Sequence, residues 1–449
     1  MSTFMPLLIG DVLIAIAGLY AGFQLRFEAG DALPPLELQH IAPFIGVLLF
    51  FSYLLELYNL EKMMKKRELL LRTAVAMALS TVALTSLYYM MPAVRFGRGI
   101  FGIALGFFCV FQFLLHTGFT TFLHSTRLAR RVLVLGTGPL AKKIGDLIQS
   151  TNHQHILKGY VNLAREPLAV PAGAIVGNGD SLAETIREQK AQKLVVSLSE
   201  RRGVFPLHEA LNCKFCGIEV IDAPSFYEEM TGKLLLEDIT PSWFIFSNGF
   251  KITHAKRMIK RAFDIACSVI GLILTLPLLP LVALLIKIDS RGPIFFRQER
   301  VGEMEKEFVL YKFRTMRNDA EKGTGAVWAE KNDPRITRIG RFFRKVRIDE
   351  FPQLYNVLKG EMSFVGPRPE RPEFVGRLKK LIPYYSERHF VKPGITGWAQ
   401  IRYPYGSSVE DAVEKLRYDL YYIKNISVLL EMLVIIETLK VMMFGRGGR

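Results

Sequence analysis

Four apolar stretches open the chain, at 7–25, 41–58, 70–91 and 99–123, separated by short polar loops. Each approaches the ~20 residues an α-helix needs to cross a bilayer, so residues 1–127 are expected to form four transmembrane helices. From 128 the period changes. "RRVLVLGTGPLAKKIGDLI" (130–148) passes from a leucine and β-branched run through Gly136-x-Gly138-x-x-Ala141 into helical spacing, and 191–199 and 217–224 read as later strands. This predicts a Rossmann-like α/β unit over 128–228. Residues 229–254 are irregular and read as a linker, with Trp243 and Phe244 either anchored at the membrane surface or packed in a plain loop. After 290, "GPIFFRQERVG" and "KEFVLYKFRTM" alternate as two strands. "DPRITRIGRFFRKVRIDE" then sets Arg335, Arg338, Arg341 and Arg344 against Ile336, Ile339, Phe342, Phe343 and Val346, the spacing of a basic amphipathic helix.

A fifth apolar run, 265–286, is long enough to cross, at roughly 33 Å as a straight helix. Pro277 and Pro280 interrupt it, each removing a backbone donor and crowding the preceding turn. Lys256, Arg257, Lys260 and Arg261 precede it, and Lys287 and Arg291 follow, so both ends favour the same headgroup layer. The distribution of lysine and arginine points the same way. Lys62, Lys65, Lys66, Arg67 and Arg72 crowd the second loop, and Arg127, Arg130 and Arg131 follow the fourth span, which places both on the cytoplasmic side. A fifth crossing would carry everything after 290 outside. The expectation is therefore a re-entrant helix-break-helix that dips into the membrane and returns.

Composition narrows the partners. The formal net charge is +16 and the mean hydropathy is positive, which suits anionic lipid and phosphorylated substrates; a chain committed to a membrane disfavours nucleic acid. Four cysteines, with Cys213 and Cys216 as a lone C-x-x-C, provide neither a zinc set nor a disulfide framework and read as reduced thiols. A dinucleotide enzyme would want an acid about 20 residues beyond the glycine turn. Asn162 stands near that place, so nucleotide binding and a cofactor-free module both stay open.

The candidate chemistry lies in "RKVRIDEFPQLYNVLKG" (344–360). Pro352 suits a first helical turn and Gly360 a C-cap, which puts Asp349 and Glu350 at or just before a helix N-terminus. There the macrodipole, together with Arg344 and Arg347, favours ionised carboxylates usable as a nucleophile or Mg²⁺ ligand. Lys312 and Arg314 share one strand face. Arg368, between Pro367 and Pro369, sits in a stiff loop that suits phosphate recognition.

From about residue 260 onward the chain resembles the bacterial sugar transferases, the polyprenyl-phosphate hexose-1-phosphate transferases or monotopic phosphoglycosyl transferases. "KRAFDI", "SRGPIFFRQERVG", "YKFRTM", "DPRITRIGRFFRK", "RIDEFPQLYNVLKGEMSFVGPRPE", "KPGITGWAQ" and "KLRYDLYYIKNIS" carry the resemblance, over about 190 residues. The four-span front and α/β middle resemble the family's large, exopolysaccharide-priming branch, and "PSWFIFSNGF" and "RYPYGSSVED" resemble members tied to exosortase-associated systems. The turn "EMEKE" (303–307) departs from the family, which commonly has glycine there.

The resemblance implies a catalytic domain over 255–449 that transfers hexose-1-phosphate from a UDP-hexose to undecaprenyl phosphate. The products are a diphosphate-linked lipid sugar and UMP, formed through a phosphosugar intermediate on Asp349. It implies Mg²⁺ at Asp349 and Glu350, and substrate contacts from Lys312, Arg344, Arg368 and Asp419, to which the strand-face argument adds Arg314. It also implies the inner (cytoplasmic) membrane with the catalytic domain on the cytoplasmic face, a homodimer, and downstream glycosyltransferases as partners. Glucose and galactose remain equal candidates for the hexose. Two competing functions are a nucleotide-sugar-modifying enzyme built on 131–225, counted against by the missing acid near 162, and a non-catalytic scaffold, counted against by the Asp-Glu pair.

Overall fold

The computed structural model describes residues 4–26, 37–58, 66–123, 129–150, 155–163, 167–198, 205–239, 249–317, 333–404 and 408–444, with 244, 247, 320 and 406. Lys62, Lys65, Arg127 and Trp243, singled out above, lie outside the described residues. The chain divides into two compact units, Met1–Ile221 and Asp222–Arg449.

The apolar stretches become α1 (Phe4–Gln24), α2 (Leu38–Leu54), α3 (Lys66–Met90) and α4 (Arg98–Leu123). Among them, Met5–Gln24, Lys66–Met90 and Arg98–Phe119 have crossing length and apolarity. α2, with 17 residues, rises only about 25 Å. α1 lies along α4, and two glycines one helical turn apart let the backbones approach. A Cβ on Gly18 would stand 3.0 Å from the Ala104 carbonyl oxygen, and one on Gly22 2.9 Å from that of Ile100. Phe44, Leu48, Leu84 and Phe108 are fully buried between the helices. So is Asp11, whose Oδ2 accepts from Tyr58 Oη (2.6 Å) and Gln112 Nε2 (2.7 Å), with His116 Nε2 at 3.1 Å.

The α/β part of the same unit holds β1 (Arg130–Leu135), α5 (Pro139–Ser150), β2 (His155–Asn162), β3 (Ile175–Asn178), α6 (Leu182–Glu188), β4 (Lys193–Val196), α7 (Leu207–Phe215) and β5 (Glu219–Asp222), in sheet order β3-β2-β1-β4-β5. β1 runs parallel to both β2 and β4, and β2 parallel to β3. Gly136 has φ +124, a value open to glycine. Gly136, Thr137 and Gly138 are all buried: Ala169 N–H donates to Thr137 O (2.8 Å), and Asn162 Oδ1 accepts from Thr137 Oγ1 (3.3 Å). Other residues of the chain thus pack on this turn.

The second unit opens with α8 (Ala223–Thr231). Leu234 and Ile239 join its main core with Leu378, Tyr385, Trp398 and Leu420, and Phe244 packs on Phe250 and Tyr384. The fifth apolar run forms α9 (His254–Thr275), a 3-10 turn at Leu276–Leu278, and α10 (Leu279–Asp289). Pro277 falls in that turn and Pro280 in the first turn of α10. Both halves are fastened to this one unit. On α9, Asp264 Oδ1 accepts from Ser363 Oγ and Phe364 N–H (2.9 Å each), and Arg261 donates to the carbonyls of Val357 (2.6 Å) and Leu358 (2.7 Å). On α10, Val282 and Ile286 pack with Phe313 and Phe343, and Asp289 Oδ2 accepts from Ile339 N–H (3.1 Å). Between those anchors Ile273, Leu274 and Leu276 are exposed.

The hairpin β6 (Phe295–Val301) and β7 (Glu307–Phe313) is antiparallel. At its turn Met304 and Glu305 hold φ +51 and +60, left-handed values that a glycine would take without strain. The remaining elements are α11 (Arg338–Lys345), α12 (Gln353–Lys359), β8 (Ser363–Val365), α13 (Pro372–Leu381), β9 (Gly394–Thr396), α14 (Trp398–Arg402), α15 (Val409–Lys424) and α16 (Val428–Phe444), with β8 parallel to β9. α11 buries Phe343 and leaves Phe342, Arg338 and Arg341 exposed. Arg335 is not part of that face, because its guanidinium forks onto Asp333 (2.8 and 2.6 Å).

Candidate active site

Asp349 and Glu350 occupy a 3-10 turn, Ile348–Glu350, immediately before α12. Pro352 caps that helix and Gly360, at φ +91, ends it. The turn is entered through Arg347 at φ +56, an uncommon conformation for a side chain of that size. Arg347 reaches back to Glu350 Oε2. Arg261 closes the far end of α12 by taking its last carbonyls.

Three cations from three places in the chain converge on Glu350. Arg368 Nη2 donates to Oε1 (3.0 Å), Lys312 Nζ lies 3.6 Å from the same oxygen, and Arg347 Nη1 is 3.5 Å from Oε2. Gln400 Oε1 accepts from both Arg347 Nη1 (3.1 Å) and Arg368 Nη1 (3.0 Å), so one amide holds the two guanidinium groups together. Burial works against the charge on Glu350, but Arg368, Lys312 and Arg347 outweigh it and hold its carboxyl well below the usual range. Asp349 goes the other way. Burial, then the adjacent Glu350, push it up against the pull of Lys312, Arg344 and Arg368. Tertiary packing sets the two carboxylates apart, because the close ion pairs among the described residues fall to Glu350. Lys312 is lowered to about 8 by burial and by Arg368, against Glu350 and Asp349.

The other candidates fall as follows. Arg344 lines the same cavity with its influence on Asp349. Arg314 also lines it, but its guanidinium is taken up by Ser290 O (2.7 Å), Ser290 Oγ (3.0 Å) and Arg291 O (3.1 Å), tying the β6–β7 hairpin to the end of α10. Sharing a strand face with Lys312 does not bring it to the carboxylates. Asp419 lines the cavity with its Oδ2 on Arg388 Nη2 (2.8 Å), and burial pushes it up to about 6 even against that arginine. Arg388 carried no signal in the sequence, and Gln400 stood only as the last residue of the family-like stretch "KPGITGWAQ", with no role assigned. Each lies in its own segment, 50 and 38 residues beyond Glu350 by number, and only folding brings them in.

These residues line a cavity of about 810 Å³, within the span of small-molecule sites. Arg300, Lys312, Arg344, Arg347, Arg368 and Arg388 give it a strongly cationic wall around Asp349 and Glu350, with Glu370 and Asp419 also lining it. For a divalent cation, Asp349 is the fitting ligand: it is buried and has no hydrogen bond or ion pair among the described residues. Glu350 does not fit as well, since both its oxygens face cations. Among the described residues no group of three or more His, Cys, Asp or Glu could form a complete metal site. A Mg²⁺ here would have to take most of its ligands from water and substrate oxygens, as Mg²⁺ commonly does.

Comparison with known proteins adds the following. Residues 255–445 match the family model described as bacterial sugar transferase. A UDP-N-acetylgalactosamine-undecaprenyl-phosphate N-acetylgalactosaminephosphotransferase of Aeromonas hydrophila is 40% identical over 237 residues, 53% of this chain and 55% of that protein. An undecaprenyl-phosphate glucose phosphotransferase of Komagataeibacter xylinus is 35% identical over 347 residues, 76% of this chain and 63% of the relative. The exopolysaccharide production protein PSS of Rhizobium leguminosarum bv. phaseoli is 46% identical over 186 residues, 40% of this chain but 93% of that protein. The chain therefore spans little more than half to under two-thirds of the length of the first two.

Proposed function

The chain belongs to the bacterial sugar transferase family, and from that premise we propose that it transfers hexose-1-phosphate from a UDP-hexose to undecaprenyl phosphate. The observation that carries the reading is the division of labour at the Asp-Glu pair. Glu350 organises three cations, while Asp349 beside it has no close partner among the described residues and lines a cationic cavity. A carboxylate so placed suits covalent relay chemistry, and the cations suit the charge of a phosphoryl group in transfer.

The proposed cycle has two steps. Asp349 attacks the sugar-bearing phosphorus of the UDP-hexose, the bond to the bridging oxygen breaks, and UMP leaves with that oxygen and its electron pair. A phosphate oxygen of undecaprenyl phosphate then attacks the same phosphorus, forms the diphosphate and returns Asp349 to a carboxylate. Arg368, Arg344 and Lys312 hold phosphate oxygens; Gln400 fixes the spacing of Arg347 and Arg368. A Mg²⁺ on Asp349 would supply further neutralisation of the diphosphate when bound.

The lipid substrate requires this cavity at headgroup depth. A re-entrant reading of α9 and α10 would meet that requirement. It is supported by their proline-bearing break, by exposed leucine and isoleucine near the break, and by the attachment of both halves to one compact unit. Exposed Phe342 beside Arg338 and Arg341 on α11 suits an anionic membrane surface. We place this surface on the cytoplasmic side, where the lysine- and arginine-rich loops would lie. The five-stranded sheet has a doubly wound order, but Asn162 stands where a dinucleotide site would want an acid, which favours the transferase reading over nucleotide chemistry in that unit.

The deciding experiment measures UMP release from UDP-glucose, UDP-galactose and UDP-N-acetylgalactosamine with undecaprenyl phosphate, using the purified full chain and Asp349→Asn. Release by the parent with one or more sugars and its loss in the variant are expected. Full activity in Asp349→Asn would end the nucleophile assignment, and the same variant separates an enzyme from a scaffold.

A further inference from the structure

The loop that presents Arg368 is held one carbonyl at a time. Gly394 N–H donates to Pro367 O (2.9 Å), Arg388 Nη2 to Arg368 O (3.0 Å), Arg300 Nη1 to Pro369 O (3.1 Å), and Val301 N–H to Glu370 O (3.0 Å). The holder of Arg368 itself is the most deeply supported. The same Nη2 of Arg388 also donates to Asp419 Oδ2 (2.8 Å), and Nη1 donates to Tyr385 Oη (2.7 Å). Arg388, Asp419 and Tyr385 are 5, 2 and 3% exposed.

We propose that Arg388, oriented by Asp419, is a positioning residue that sets where the Arg368 guanidinium stands. Asp419 then serves the site by fixing Arg388, without needing to touch substrate. This rests on the reading of Arg368 as a phosphate-binding group. The planar fork matters. One nitrogen bridges a carbonyl and a carboxylate while the other reaches a phenol, an arrangement a lysine's single ammonium cannot reproduce at both ends. Without it the loop keeps its bonds at Pro367, Pro369 and Glu370 but loses the hold on the residue whose side chain meets Glu350 Oε1 and Gln400 Oε1. Displacing a binding group by about 1 Å can cost on the order of 100-fold in rate.

Arg388 also lines the cavity, so direct contact with substrate is the competing role, and a double-mutant cycle with Arg368→Ala distinguishes them. Arg388→Lys is expected to lower kcat/KM for the UDP-sugar by about 10- to 100-fold. In the Arg368→Ala background the same substitution should change it by less than about twofold, because the group it positions is already gone. Losses that multiply in the double variant would overturn the proposal and make Arg388 a contact residue. Should Arg388→Lys fail to fold, judged by its thermal midpoint, Asp419→Asn enters the same cycle and must give the same non-additivity. The cycle is also read on the Kd for UDP, which needs no turnover. A parent that binds UDP but releases no UMP would sink the functional reading, while the Kd cycle still decides the role of Arg388.

Discussion

Replacing Asp264 should loosen the candidate active site from the side of α9. Asp264 sits on α9 at 2% exposure and accepts two hydrogen bonds of 2.9 Å, from Ser363 Oγ and Phe364 N–H, with Lys260 Nζ at 3.8 Å. Ser363 can still donate to Val365 O (2.9 Å), so Asp264→Ala leaves the Phe364 N–H as the unsatisfied donor and removes two bonds to a charged acceptor. At about 1.5–3 kcal/mol for each such bond, and allowing for the remaining serine bond, the loss is about 3–5 kcal/mol. For a unit of this size, about 2–4 °C of thermal midpoint per kcal/mol gives a fall of roughly 6–20 °C. Asp264→Asn keeps an acceptor oxygen and should lose about half as much. Because β8 leads directly into the Arg368 loop, both variants should also raise the KM for UDP-sugar in the same order. The assay is thermal unfolding in nanodiscs beside UMP release. An Asp264→Ala protein with an unchanged midpoint and KM would refute the claim that this carboxylate couples the helix to the site.

Other consequences follow from the same packing. Burial and Arg388 lower His389 to about 4, against Glu305 3.7 Å away. Its unfolded value is near 6.5, so the unfolded chain binds the proton first. The neutral ring's contribution is complete above about pH 6.5 and is lost as pH falls toward 4, amounting to about 3 kcal/mol. His389→Gln should flatten the acidic limb of a stability–pH curve between those values, and an unaltered limb would count against this assignment. Arg314→Met removes three hydrogen bonds to Ser290 and Arg291, and should lower the thermal midpoint and speed proteolysis near 290; equal cleavage rates would contradict the anchoring role.

The layers of this chain differ in how much their sequence discloses. The four opening helices announce themselves because a bilayer-length apolar run has few alternatives, and their ends differ from the expected ones by a few residues. α3 begins at Lys66, in a charged stretch, because Arg72 there pairs with Glu68 and Glu56 and bonds the Leu55 carbonyl. Pro277 and Pro280 signal the break between α9 and α10 through backbone chemistry alone. At the site, Asp349, Glu350, Lys312 and Arg368 were legible through motif. Arg388 was not, and Gln400 was visible only as a motif residue without a role, since nothing local shows what a glutamine at a helix start or an arginine in a 3-10 turn will bond until distant segments meet. Arg314 shows the opposite error: strand alternation gives the face of a side chain but not its partner, and Ser290 was closer to hand than the carboxylates.

Asp11 has a consequence for how the first helix reaches its final state. Two of its partners, Gln112 and His116, lie 101 and 105 residues further along. At about 5–20 residues per second of synthesis, the ribosome needs on the order of 5–20 s to supply them. During that interval only Tyr58, 47 residues along, can bond the Asp11 carboxyl, and the arrival of α4 completes its set of partners.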